Sequence, residues 1–163
     1  MKRLHCCILV FCTYSGVITA AEVALAEPLG RYQCNLFGTI SQEPVGDREG
    51  HSLTSFEYSC VGVEGFLKGA VATTVAVIEW DGPRGTLVTT VKIHRAPGGI
   101  AVGQTTEGTA STVMKDGKIV GTEASGTSVI RFASGTLARL SGKSLKWVSK
   151  PIGPSRFEQE YSD

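Results

Sequence analysis

The chain has 163 residues with 16 basic and 15 acidic side chains, the scale of a single domain with almost no net charge. That balance excludes the concentrated basic surface that nucleic acid or an anionic membrane selects. No run of five like charges occurs either, so an electrostatic tail is excluded as well.

Residues 1–26 read as a cleaved secretory signal. Lys2 and Arg3 form a positive start, the apolar run from Cys6 to Ala21 follows, and Ala24-Leu25-Ala26 places cleavage before Glu27. Ile18-Thr19-Ala20 offers an earlier cut. Thr13, Tyr14, Ser15 and Glu22 interrupt the apolar run, leaving it short of the roughly 20 residues a membrane span needs. Phe11 before Cys12 does not suit a lipoprotein site. The mature domain is then Glu27–Asp163, secreted or periplasmic, with no membrane association after cleavage. Losing Lys2, Arg3 and Glu22 leaves acidic and basic residues equal in number.

Cys6, Cys7 and Cys12 leave with the signal, so Cys34 and Cys60 remain as a pair in an oxidising compartment. They are expected to form a disulfide, worth roughly 3 kcal/mol through the unfolded-chain entropy it removes. Two isolated cysteines without a nearby histidine do not suit a metal site, and the spacing is not that of a redox motif.

Apolar residues in the mature chain alternate, glycines recur, and no window carries a capped helical pattern. Arg31–Ile40 reads as a strand with Tyr32, Cys34 and Leu36 on one face. The polar stretch Ser41–Ser52, broken by Pro44, Gly46 and Gly50, reads as a loop. In Ser52–Val61, Phe56, Tyr58 and Cys60 share a face. Each cysteine thus lies on the face that carries the aromatics, and the bridge would link the first two strands from the buried side or beside an edge. Phe66–Trp80 reads as one long strand, with Leu67, Val71, Val75 and Val77 as the apolar face against Lys68 and Thr74.

After the turn cluster at Asp81–Gly85, Thr86–Arg95 is expected to bury Leu87, Val91 and Ile93. Thr90, Lys92 and His94 then face outward. Gln104–Phe132 is a hairpin about Asp116-Gly117, a dipeptide suited to the positive φ of a two-residue turn. Its first strand starts near Ile100. Thr136–Lys143 reads as a turn or a single helical turn. Ser144–Lys150 turns Leu145 and Trp147 inward, and Arg156–Ser162 turns Phe157 and Tyr161 inward. The sum is an all-β chain of about eight antiparallel strands with one polar face each, closed into a barrel or, alternatively, packed as a sandwich.

Catalytic patterns are scarce. No G-x-S-x-G elbow, metal-ligand spacing or phosphate-cradling glycine loop occurs, so neither metal nor cofactor is expected. His51 in the polar loop and His94 on an outward face read as surface histidines. A two-residue turn places Glu107 and Glu123 on opposite faces of the hairpin, so they do not form a paired acid/base site unless a bulge changes the register. At most one of them enters a barrel. Glu79 ends the expected apolar face of its strand, beside a barrel mouth. Glu107, Glu79, Trp147 and Tyr58 are therefore the residues expected to meet a ligand, with no catalytic residue assigned.

At Phe132-Ala133-Ser134-Gly135-Thr136 and Leu140-Ser141-Gly142 the chain resembles the glycine-threonine-rich turns of allene oxide cyclase-like and dirigent-like barrels. The resemblance covers about residues 105–150. It departs at Leu137, where a second glycine is usual, and carries over no catalytic position. It implies an eight-stranded antiparallel barrel and no particular activity. The whole also resembles small exported bacterial proteins.

These readings converge on an exported, non-enzymatic barrel that binds a small apolar molecule or acts through its surface. The first alternative is an isomerase or cyclase using the cavity with one carboxylate, Glu107 or Glu79. The second is an inhibitor-like interaction module using the Gln42–His51 loop. No sequence feature fixes an oligomeric state.

Overall fold

A computed structural model of the protein describes residues 29–163, so the expected signal at 1–26 lies outside the described residues. Eight strands follow one another as an antiparallel meander. They are β1 (Gly30–Pro44), β2 (His51–Gly65), β3 (Val71–Asp81), β4 (Arg84–Ala96), β5 (Gly99–Lys115), β6 (Lys118–Gly135), β7 (Ser144–Gly153) and β8 (Arg156–Ser162). Each pairs with the next, and β8 pairs back onto β1 over Gly30–Asn35, closing a barrel. Among the described residues no helix is long and apolar enough to cross a membrane.

Local chemistry accounts for the connections. Asp116 and Gly117 adopt φ of 51° and 73° between paired Lys115 and Lys118, the two-residue turn that Asp-Gly favours. Between β6 and β7, Ala138–Leu140 forms a single 3₁₀ turn whose Leu140 is buried. With Leu137 it joins Leu29, Leu67 and Leu145 in an apolar plug that seals one end of the barrel. The long strand expected from Phe66 starts instead at Val71, because Phe66–Gly69 forms a turn with Gly69 at φ 79°. That turn drops Leu67 into the plug. The expected loop after β1 shortens to Val45–Gly50, since β1 continues to Pro44 opposite Ser52.

Cys34 and Cys60 stand directly opposite each other in the β1–β2 ladder and are joined by a disulfide on the inner face. Tyr32, Tyr58, Leu145, Trp147 and Tyr161 also face inward, as their alternation predicts. On β3, and on β4 after Val88, the expected faces are exchanged, while Leu87 lines the lumen as expected because Val88 is an extra residue in the ladder. Ala72, Thr74, Ala76 and Ile78 are buried, while Val75 is 53% exposed. Thr90, Lys92 and His94 are buried, and Val91 is turned out.

Volume explains the exchange. An eight-stranded lumen has room for one layer of side chains at each level. Three tyrosines and a tryptophan enter from β1, β2, β7 and β8, so the opposite wall supplies small residues such as Ala72, Ala76, Ala101 and Gly103. Gly126 shows how tight the fit is, because a Cβ there would stand 2.8 Å from Trp147 Cζ2.

Bulges settle the long hairpin. Lys115↔Lys118 and Met114↔Ile119 follow the simple turn register, but Val120 is extra on β6 and Thr106 is extra on β5. Glu107 consequently pairs with Thr127 and Ser111 with Glu123, so Glu107 and Glu123 share one face. That face is the outer one, and both are exposed. The expected separation of the two acids onto opposite faces is corrected accordingly: a bulge moves every following residue to the other side.

Candidate functional site

The lumen above the apolar plug is a calyx. A cavity of about 940 Å³ runs from the Val45–Gly50 loop, Gly82 and Ser155 at the mouth down to Tyr58, Thr90 and Gln159. Leu36, Phe56, Ile78, Trp80, Leu87, Trp147 and Phe157 give it mainly apolar walls. Aromatic packing stiffens one side, with Tyr58 edge-on to Phe157 at 5.0 Å and stacked with Phe56 at 6.1 Å between ring centroids.

Below this cavity the lumen becomes polar. A second void of about 20 Å³, room for one water-sized group, lies beside Lys92, His94, Thr105, Ser128 and Tyr161. Tyr58, Leu87, Thr90, Trp147 and Gln159 line both spaces, so the void is the innermost step of the same lumen.

Lys92 is 4% exposed, and its Nζ donates to Gln159 Oε1. Three rings surround it, with centroids at 4.9 Å for Tyr58, 5.3 Å for Tyr161 and 5.5 Å for Tyr32. Their faces stabilise a cation electrostatically, which partly replaces lost hydration. No carboxylate among the described residues pairs with Lys92. Burial lowers its pKa to about 7, because the charged form has left water without gaining a counter-ion.

The neighbours remain neutral. Burial, and then the Lys92 charge, bring His94 down to about 3. Burial pushes Tyr58 up to about 12 and raises Tyr32 and Tyr161 further. Tyr32 Oη and His94 Nδ1 share a 2.8 Å hydrogen bond, which fixes both rings under the lysine. A hydroxyl chain crosses the floor, Thr90 Oγ1 donating to Thr105 Oγ1, which bonds Ser128 Oγ at 3.1 Å. Trp147 Nε1 is buried without a partner. Chemically, then, the floor offers one titratable amine and an unused N–H donor beneath an apolar chamber.

The mouth carries a separate polar cluster. His51 is buried, bonded through Nδ1 to Asp47 and through Nε2 to Glu79 Oε1 at 2.8 Å. Arg48 bridges Asp47 at 2.7 Å and Asp81 at 3.4 Å. The hydrogen bonds to Asp47 and Glu79 raise the His51 pKa, and the His51 bond lowers that of Asp47. This clasp ties the Val45–Gly50 loop across to β3. Among the described residues no cluster of three or more His, Cys, Asp or Glu side chains is placed to hold a metal ion.

Of the four residues expected to meet a ligand, Tyr58 and Trp147 line the lumen. Glu107 does not; it lies outside, accepting a 2.9 Å hydrogen bond from Thr127 Oγ1. Glu79 stands at the mouth end of β3 but on its outer face, bound to His51, because the inner face of β3 is the even-numbered one. His51 and His94, expected at the surface, are both buried.

The alternation of β4 hid Thr90, Lys92 and His94, whereas Gln159 shares the inward face that alternation gives Phe157 and Tyr161 but is not among the residues expected to meet a ligand. A usable signal was present. The disulfide fixes the inner face of β2, and the ladders carry that face from Cys60 through Ala72 to His94. Comparison with known proteins finds no match among protein families, curated proteins or solved structures.

Proposed function

We propose that this protein is an exported binding protein whose barrel lumen holds one small, largely apolar molecule. The observation that carries this is the cavity of about 940 Å³ with apolar walls, open at one end and plugged at the other. That volume lies within the range of small-molecule sites, roughly 300–1,000 Å³. The disulfide suits an oxidising compartment outside the cytoplasm, in keeping with the signal read at residues 1–26.

The cyclase or isomerase alternative loses its support, since Glu107 and Glu79 both lie outside the lumen. The neutral dye N-phenyl-1-naphthylamine tests the binding reading. The expected result is saturable, blue-shifted emission with the wild-type protein. Binding should weaken at least tenfold in Ala76→Phe, which places a ring in the cavity from a residue that lines it. Absence of saturable binding to the folded wild type would refute the calyx reading.

A further inference from the structure

The floor of the lumen selects a head group. Its defining feature is a buried cation with no anion near it. Lys92 meets Tyr32 on β1, Tyr58 and the Cys60 sulfur on β2, His94 on its own strand, and Gln159 and Tyr161 on β8. None of these carries a negative charge at neutral pH, and both acceptors at Nζ, the Gln159 amide oxygen and the Cys60 sulfur at 3.9 Å, are neutral. A buried ammonium in that setting is costly unless something arrives to neutralise it. Trp147 Nε1, which belongs to a ring lining both the chamber and the void, is a buried donor without an acceptor.

We propose that the calyx takes an apolar molecule ending in a carboxylate, inserted head-first so that the carboxylate meets the Lys92 ammonium at the base of the lumen. The proposal rests on the reading of the lumen as an apolar binding site and adds the class of its ligand. Three observations select this head group. The donors are an ammonium and an N–H, which call for an acceptor, and a single buried positive charge calls for a single negative one. The void beside Lys92 measures about 20 Å³, which admits one oxygen-sized group and not a bulky tetrahedral anion. Gln159 is the movable part. Its side chain lines both spaces and holds Nζ, so rotating it away hands the lysine to the incoming carboxylate. The apolar remainder of the molecule then fills the chamber between Phe56, Ile78 and Trp147.

Decanoate and 1-decanol differ at the head group alone and test this directly. Each is titrated into the folded protein, with binding read by the emission of Trp80 and Trp147, both of which line the chamber. The expected result at pH 6 is decanoate binding at least tenfold tighter than decanol. In Lys92→Met the preference should disappear while decanol binding is retained. Should that variant fail to fold, the wild type decides alone, because the preference should shrink between pH 6 and pH 10 as the lysine loses its proton. Equal affinities at pH 6, decanol binding without decanoate binding, or an undiminished preference in Lys92→Met would each overturn the carboxylate proposal while leaving the calyx standing. If neither compound nor the neutral naphthylamine dye binds, the calyx reading falls with it.

Discussion

The two sides of the barrel wall solve the same packing problem with opposite chemistry. On β1, β2, β7 and β8 the large side chains Tyr32, Tyr58, Trp147 and Tyr161 point inward, and charged groups such as Arg31 and Glu158 point out. On β3 and β4 the inner positions include alanine, threonine, lysine and histidine, with Ile78, Trp80 and Leu87 towards the mouth, while Val75, Val88 and Val91 face outward. Below the chamber the rings of Tyr32, Tyr58 and Tyr161 surround the slender chain of Lys92, and Ala72, Ala76 and Ala101 are the small inner residues of the other wall. Inside and outside are therefore set by shared volume rather than by hydrophobicity strand by strand.

The sharpest test of this contrast is a neighbouring pair on β7. Trp147→Ala removes a buried inward ring packed beside Gly126 and Gly108 and is expected to destabilise by about 3–5 kcal/mol. Val148→Ala, one residue on and outward, should cost less than about 1 kcal/mol. Equal costs in urea unfolding would break the assignment of faces.

Lys92 gives the next largest effect, and its sign follows from linkage. Its pKa of about 7 lies below the ordinary lysine value of 10.5, so the unfolded chain holds the proton more tightly than the folded one. Stability therefore rises as pH increases from about 7 towards 10.5, and the penalty is fully present below 7. Between pH 6 and pH 9 the wild type should gain about 2–3 kcal/mol relative to Lys92→Met, whose curve lacks this component. At pH 6 the variant should be the more stable protein. Denaturant melts of both proteins across that range provide the check, and parallel curves would contradict the buried position.

Breaking the disulfide with a Cys34→Ala/Cys60→Ala double substitution should lower stability by about 3 kcal/mol, with the barrel retained. Far-ultraviolet circular dichroism and urea melts measure both parts. The outer valines of β3 should be nearly silent. Val75→Thr is expected to change stability by no more than about 0.5 kcal/mol, although Val75 belongs to what reads as the apolar face.

The smallest effect sits at the mouth. His51 has a raised pKa, so the clasp it forms is fully present below 6.5 and is lost as pH rises through the folded value. Asp47, with its lowered pKa, loses the clasp as pH falls through its own folded value. In an NMR titration the His51 imidazole should have a midpoint above 6.5, and Asp47→Asn should bring it back towards that value.

Much of the architecture was legible in the residues. The Asp116-Gly117 turn, the Cys34–Cys60 pair, the inward aromatics of β2, β7 and β8, and the eight-strand closure all follow from local chemistry. The faces of β3 and β4 were not legible from alternation, since both faces alternate cleanly and only the register to β2 says which is inside. Glu107 was misplaced for a related reason. The bulges at Thr106 and Val120 carry no glycine or proline of their own, and each moves the following residues to the other face. The site suffered most, because Lys92, its principal group, reads locally as a solvated lysine on an outer face.

The measurement that bears most directly on the account is the titration of the lysine side chains by NMR, with isotope-labelled lysine and Lys92→Met to assign the signal. Lys92 is expected to titrate near pH 7, well below the ordinary lysine value of 10.5. A Lys92 signal titrating near 10.5 would place its amine in water and contradict the polar floor of the lumen.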